Sequence, residues 1–212
     1  MKIIAFNGSP RGDGNTAFLI NTVFTELKKE GIETETVHVG KKQIQGCVAC
    51  MKCFENKNGY CAIKNDMINE CIDKIRAADG VILGSPVYCA GLSAQIKAFM
   101  DRVSMTSCAN DHLFKRKIGA SVVAVRRAGG VFTFNSLNNF FTILQMVVVG
   151  SSYWNIGYGM EREEAARDEE GIQTMRNLGR NMAWLLRSIE AGREKRIKEP
   201  ETKVEVRTNF IR

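Results

Sequence analysis

Histidine is scarce, and so are long apolar runs. The 212-residue chain has two histidines. His38 lies in a segment patterned as a strand, and His112 stands beside Asp111 in a loop. Neither has the partner pattern of an acid–base pair. A membrane-spanning helix needs about 18 or more consecutive apolar residues, and no such run occurs. The apolar start of MKIIAFNGSP is too short for a secretory leader and runs straight into a glycine turn. A cytoplasmic protein with reduced thiols is therefore expected. There is no GK[ST] phosphate-loop ending and no dinucleotide glycine fingerprint. Internal repeats and low-complexity linkers are also missing.

The net charge is +7, but the basic residues are spread out and mixed with acids. The densest stretch, GREKRIKEPETKVEVR, carries four glutamates and reads as a solvated tail or subunit-contact arm. No nucleic-acid partner is expected. The organisation expected is one domain over 1–190, with a cysteine-rich loop at 46–62, and a charged tail over 191–212.

Apolar segments alternate with helical ones. Lys2–Phe6 reads as a buried strand, Glu33–Val39 alternates as a second, and GVILGSP and KIGASVVAV are further buried-strand signals. VVVGSSYW starts as the last strand. Helices are expected at about Asn15–Glu30 (with Asn15 as N-cap), Asp66–Ala77, Leu92–Val103, FTFNSLNNFFTILQM and Asp168–Ile189. Strands alternating with helices predict an α/β fold, a parallel sheet covered on both faces.

Ligands of such sheets sit beyond the carboxyl ends of the strands. The first strand ends in NGSPRGDGNT: three glycines, two hydroxyls, two asparagines and an arginine leading into a helix N-terminus. Backbone N–H groups there carry the positive end of the helix dipole. Ser9, Asn15 and Thr16 can add donors and Arg11 a charged one, a set suited to a phosphomonoester. A plain strand-to-helix turn is the alternative.

Four of the seven cysteines fall in GCVACMKCFENKNGYC, spaced C-x2-C-x2-C-x7-C: Cys47, Cys50, Cys53 and Cys61. Bacterial ferredoxins begin with the same C-x2-C-x2-C. Zinc, which takes four thiolates in paired knuckles, thiols that are merely structural or redox-reactive, and a disulfide are the alternatives. Cys71 reads as core. Cys89 follows Tyr88, and nothing singles out Cys108.

NGSPRGDGNT, the cysteine loop and ADGVILGSPVYCAGLSAQIKAFMDR together resemble the flavodoxin-like NADPH-dependent FMN reductases, and among them the iron–sulfur flavoproteins. The resemblance covers most of residues 1–155. It implies a flavodoxin-like doubly wound five-stranded parallel sheet, noncovalent FMN and a homodimer or homotetramer. Carried over by motif, it places Ser9, Arg11, Gly14, Asn15 and Thr16 on the FMN phosphate, and Pro86, Val87, Tyr88 and Gly91 beside the ring. The loop VRRAGG, with Arg126, Arg127, Ala128, Gly129 and Gly130, would approach from the other side. A cation there, assigned to Arg127, favours the reduced anionic ring. The resemblance also implies that Cys47, Cys50, Cys53 and Cys61 ligate a [4Fe–4S] cluster.

The function expected is an FMN-dependent oxidoreductase that couples a one-electron partner, such as ferredoxin, to two-electron reduction of a small acceptor. A cluster-free NAD(P)H-dependent FMN or quinone reductase is the second reading. There NAD(P)H is a substrate that must stack directly on the flavin, because no separate nicotinamide-binding domain is legible. A non-enzymatic electron carrier is the third.

Overall fold

The computed structural model describes residues 1–208 and 210. The remaining positions of the expected tail, 209, 211 and 212, lie outside the described residues.

The strands are β1 (Lys2–Asn7), β2 (Glu33–His38), β3 (Gly80–Pro86), β4 (Ile118–Val125), β5 (Val147–Val148) and β6 (Ile156–Tyr158). All pair in parallel, in the order β2-β1-β3-β4-β5, with β6 also on β4. β5 pairs with Ile118 and Gly119, and β6 with Val123, Ala124 and Val125. The two short segments thus share one edge of β4 as an interrupted fifth strand. This is the flavodoxin order, with its switch point between β1 and β3.

The strand sequences explain the layers. Ile3 and Ala5 of β1 join Ile82 on one face, while Ile4 and Phe6 join Val81 and Leu83 on the other. All eight residues of β4 are buried, as expected of a parallel strand covered on both sides. Helices α1 (Asn15–Lys29) and α6 (Glu169–Glu194) cover the first face. Helices α3 (Ile68–Ala77), α4 (Ala94–Ala109) and α5 (Gly130–Ile143) cover the second. The cysteine segment contains one further short helix, α2 (Lys52–Asn56).

Several boundaries differ from the expected ones: α6 runs past Ile189 to Glu194, and α5 starts at Gly130 and ends at Ile143. α4 continues past Val103 through Ser104, Thr106 and Ser107. The hydroxyls of Ser104 and Thr106 donate to the carbonyls of Asp101 and Arg102 at 3.2 and 2.9 Å, so these polar residues stay inside the helix. The N-cap of α1 is Gly14, not Asn15. The Asn15 side chain is engaged elsewhere: Nδ2 donates to the Glu161 carbonyl at 2.9 Å, and Oδ1 accepts from the Ala165 amide at 3.3 Å. α6 begins as expected, with Asp168 capping it by accepting from the Gly171 amide at 2.9 Å.

Candidate functional site

The loop after β1 is built to leave donors free. Asn7 Oδ1 accepts from the Ser9 amide at 2.9 Å, and Ser9 Oγ accepts from the Arg11 amide at 3.1 Å. These bonds curl residues 7–11 back over the strand end. α1 then starts with no side-chain cap and no acidic residue in its first turn. Its first N–H groups therefore present uncompensated positive charge, which suits an anion. One cavity is lined by Ser9, Arg11, Gly14, Asn15 and Thr16, together with Pro86, Val87, Tyr88, Ala124, Arg126, Gly159 and Met160. Eight of the twelve residues expected to bind cofactor thus meet around one space.

The other four flank it. Tyr88 and Gly91 pair backbone to backbone at 2.8 and 2.9 Å. The two residues between them, Cys89 and Ala90, both have positive φ, 46° and 61°. Gly129 caps α5 at φ 87°, and a Cβ there would lie 2.9 Å from the Ala90 Cα. Glycine is therefore required for the two loops to touch. Arg127 and Ala128 are exposed. Arg126 is exposed as well, and it is the arginine that lines this cavity. Tyr88 also borders a wider, mostly apolar groove lined by Leu92, Met100, Phe132 and Phe140.

Sequence reasoning did not single out Gly159 and Met160. They are held by the Gly159 amide on the Val125 carbonyl at 2.9 Å and by Glu164, whose carboxylate accepts from the Met160 and Glu161 amides at 2.7 and 2.8 Å. The Glu161 and Met160 amides hold the Glu164 carboxyl below the usual carboxylate range. No local pattern marks this loop, because its partner is Asn15, far away in sequence.

The cysteine segment folds against α4. Cys47, Cys50, Cys53 and Cys61 all line one small cavity, whose floor includes Arg102, Met105 and Thr106. Ala49 and Met51, between the first three cysteines, take positive φ of 50° and 57°, so the backbone coils tightly. Burial pushes the Cys53 thiol up, its own amide and that of Phe54 oppose this, and Cys61 and Cys50 add to the rise. Among the described residues, no group of three or more His, Cys, Asp or Glu is arranged for a single metal ion.

Cys61 is fixed on several sides. Its amide donates to Asn69 Oδ1 at 2.9 Å, and its carbonyl accepts from Asn69 Nδ2 at 3.0 Å. Arg102 Nε donates to its sulfur at 3.4 Å. Cys71 is fully buried, and burial pushes its thiol up to about 12. It is a core residue, as expected.

Comparison with known proteins agrees with this geometry. A family model described as NADPH-dependent FMN reductase matches residues 1–161. An iron–sulfur flavoprotein of Methanocaldococcus jannaschii is 37% identical over 90% of this chain and 100% of its own length. One of Methanosarcina thermophila is 34% identical over 92% of this chain and 100% of its own. Among solved structures, RosB with the bound intermediate 8-demethyl-8-formylriboflavin-5'-phosphate superposes with a TM-score of 0.68 at 18% identity, covering 100% of this chain and 94% of that one. At that identity the likeness is one of fold.

Proposed function

The chain belongs to the NADPH-dependent FMN reductase family and, within it, to the iron–sulfur flavoproteins, which makes it an FMN-binding, FMN-dependent oxidoreductase, and from that premise we propose that it couples a one-electron partner to two-electron reduction of a small acceptor through FMN and a [4Fe–4S] cluster held by Cys47, Cys50, Cys53 and Cys61. When bound, FMN exchanges electrons singly or in pairs, and the cluster exchanges them one at a time.

The chain's own residues divide the work. Ser9, Arg11, Gly14, Thr16 and the open first turn of α1 would take the phosphate. Asn15 braces the 159–165 loop against them. Pro86, Val87 and the half-exposed Tyr88 would run along the ring, with Gly91 and Gly129 fixing the turn that carries Tyr88. The cation assigned to the ring edge is Arg126, with Arg127 and Ala128 exposed beside it. The apolar groove at Tyr88 gives a small acceptor, or a nicotinamide, room to approach.

The observation that carries the cluster reading is the shared cavity of the four thiols. Four cysteine thiols on one cavity are the donor set that a [4Fe–4S] cluster takes. The electron partner is read from charge. Between Lys41 and Lys64 the chain has five lysines and one acid, Glu55. All five are exposed, and among the described residues none is ion-paired. With exposed Val48 and Met51 between them, they fit an acidic carrier of the ferredoxin kind, whose docking would weaken with salt.

The test is the anaerobic absorption spectrum of the purified protein, with iron and acid-labile sulfide assayed on the same sample. About four of each per chain, beneath the flavin bands, is the expected result. Flavin without iron or sulfide, after anaerobic reconstitution, would leave a cluster-free NAD(P)H-dependent reductase.

A further inference from the structure

Among the described residues, Arg102 is the largest fully buried side chain. Its guanidinium has no exposure, and that of its partner Asp66 is 5%. Four N–H groups have partners. One Nη1 bond goes to Asp66, the other to the Gln45 carbonyl at 3.2 Å. Nη2 donates to the Ile63 carbonyl at 2.9 Å, and Nε to the Cys61 sulfur at 3.4 Å. Three segments therefore meet on one side chain: the chain entering the cysteine loop, the chain leaving it, and α4.

A buried ion pair is weak evidence of a stabilising role, since well-packed apolar residues usually serve as well or better. What an apolar residue cannot supply is a donor aimed at a thiol. We propose that Arg102 is a positioning residue for the cysteine site: it holds the Cys61 sulfur in place and, by donating to it, raises the reduction potential of the group the four thiols bind. The proposal rests on the cluster reading above. Hydrogen bonds to ligand sulfurs are one of the levers that set cluster potentials, because they stabilise the more negative, reduced state. Asp66 cancels most of the guanidinium's net charge, so the lever here is the Nε–H···S contact and not a free cation.

Two variants remove the Nε contact while leaving no unpaired charge at Asp66. Arg102→Lys keeps a cation for Asp66 but loses the planar fork. The pair Arg102→Gln with Asp66→Asn removes both charges and leaves a neutral, hydrogen-bonding pair. Asp66→Asn alone is the control, since it loosens the same loop and leaves Nε on the sulfur. In anaerobically reconstituted holoprotein, the cluster midpoint potential is read by redox titration, with iron content and the FMN potential measured alongside. The expected result is a shift to more negative potential in the first two variants and not in Asp66→Asn, with the FMN potential unchanged in all. A cluster potential equal to the parent's at full iron content in both Arg102 variants overturns the proposal. So does an equal negative shift in Asp66→Asn, which would mark a role in holding the loop alone. A parent that takes up no iron or sulfide overturns the cluster reading itself, so the iron assay tells the two failures apart.

Discussion

Asn69 grips Cys61 by both of its backbone polar groups, accepting from the amide at 2.9 Å and donating to the carbonyl at 3.0 Å. Asn69 belongs to α3, whose buried Ile68, Cys71, Ile72 and Ile75 anchor it to the sheet. The fourth thiol is thus referenced to the core and not to its own loop. Outer contacts of this kind cost about 10–100-fold in affinity for a bound metal group when removed. Asn69→Ala should therefore fold and bind FMN normally, yet lose iron to a chelator at least about tenfold faster than the parent. Equal rates of loss would show that the grip on Cys61 is incidental.

Ser9 offers a cleaner test of the phosphate loop. Its hydroxyl oxygen accepts from the Arg11 amide and faces the cavity. Loss of one hydrogen bond to a charged group costs about 1.5–3 kcal/mol, which is about tenfold or more in affinity. Ser9→Ala should weaken FMN by that factor, measured by flavin fluorescence quenching. Riboflavin, which lacks the phosphate, should bind the parent and the variant alike. An equal loss for both ligands would place Ser9 on the ring side and refute the phosphate assignment.

The fold was legible because parallel strands buried on both faces leave continuous apolar runs, and β1, β3 and β4 are such runs. The Cys47, Cys50, Cys53 and Cys61 spacing was legible for the same reason: it is local. α2 was not, since five residues with no buried position carry no periodicity. Asn15 was expected to cap α1 because asparagine is a good N-cap. Its reach to Glu161 and Ala165 is a tertiary contact that no window can contain. Arg102, Asp66 and Asn69 escaped notice likewise, because what they do is defined only once α3, α4 and the cysteine loop have met. In VRRAGG the sequence offers two arginines, and only the turn at the end of β4 decides which one faces the cavity.

The contact between α1 and α6 should respond to acid. Glu26 is buried on α1, bonded to Lys29 at 2.7 Å and to Arg180 of α6 at 3.0 Å. Lys29 holds its carboxyl below the usual value, burial opposes this, and Arg180 adds to the lowering. A carboxyl lowered on folding contributes stability above its unfolded value of 4.5 and loses it as the pH falls through the folded value. Both cations are more than half exposed, so the contribution is screened and amounts to about 1 kcal/mol. Glu26→Gln should lower the melting temperature at neutral pH by a few degrees, about what 1 kcal/mol is worth in a chain of this size. The two melting curves should converge as the pH drops below 4.5. A difference that persists unchanged in acid would mean that the glutamate acts by packing and not by charge.

Gly40 ties the phosphate loop to the end of β2. It is buried, and its amide donates to the Asn7 carbonyl at 3.1 Å. A Cβ at this position would lie 1.9 Å from the Ser9 carbonyl oxygen and 2.7 Å from that of Gly8. Both neighbours are backbone, so no side chain can rotate away, and the loop itself must move. The His38 ring, which also bonds the Ser9 carbonyl, would lose that contact in the process. Overpacking of this kind costs about 1–3 kcal/mol, and here the displaced atoms are the ones assigned to the phosphate. Gly40→Ala should therefore lower FMN affinity by about tenfold or more, well beyond its effect on the melting temperature of FMN-free protein. The fingerprint of the cysteine site, iron and sulfide per chain, should stay at the parent's level, because Gly40 does not line that cavity. If FMN bound as tightly as in the parent, residues 7–11 would not be the phosphate loop, and the open turn of α1 would need another ligand.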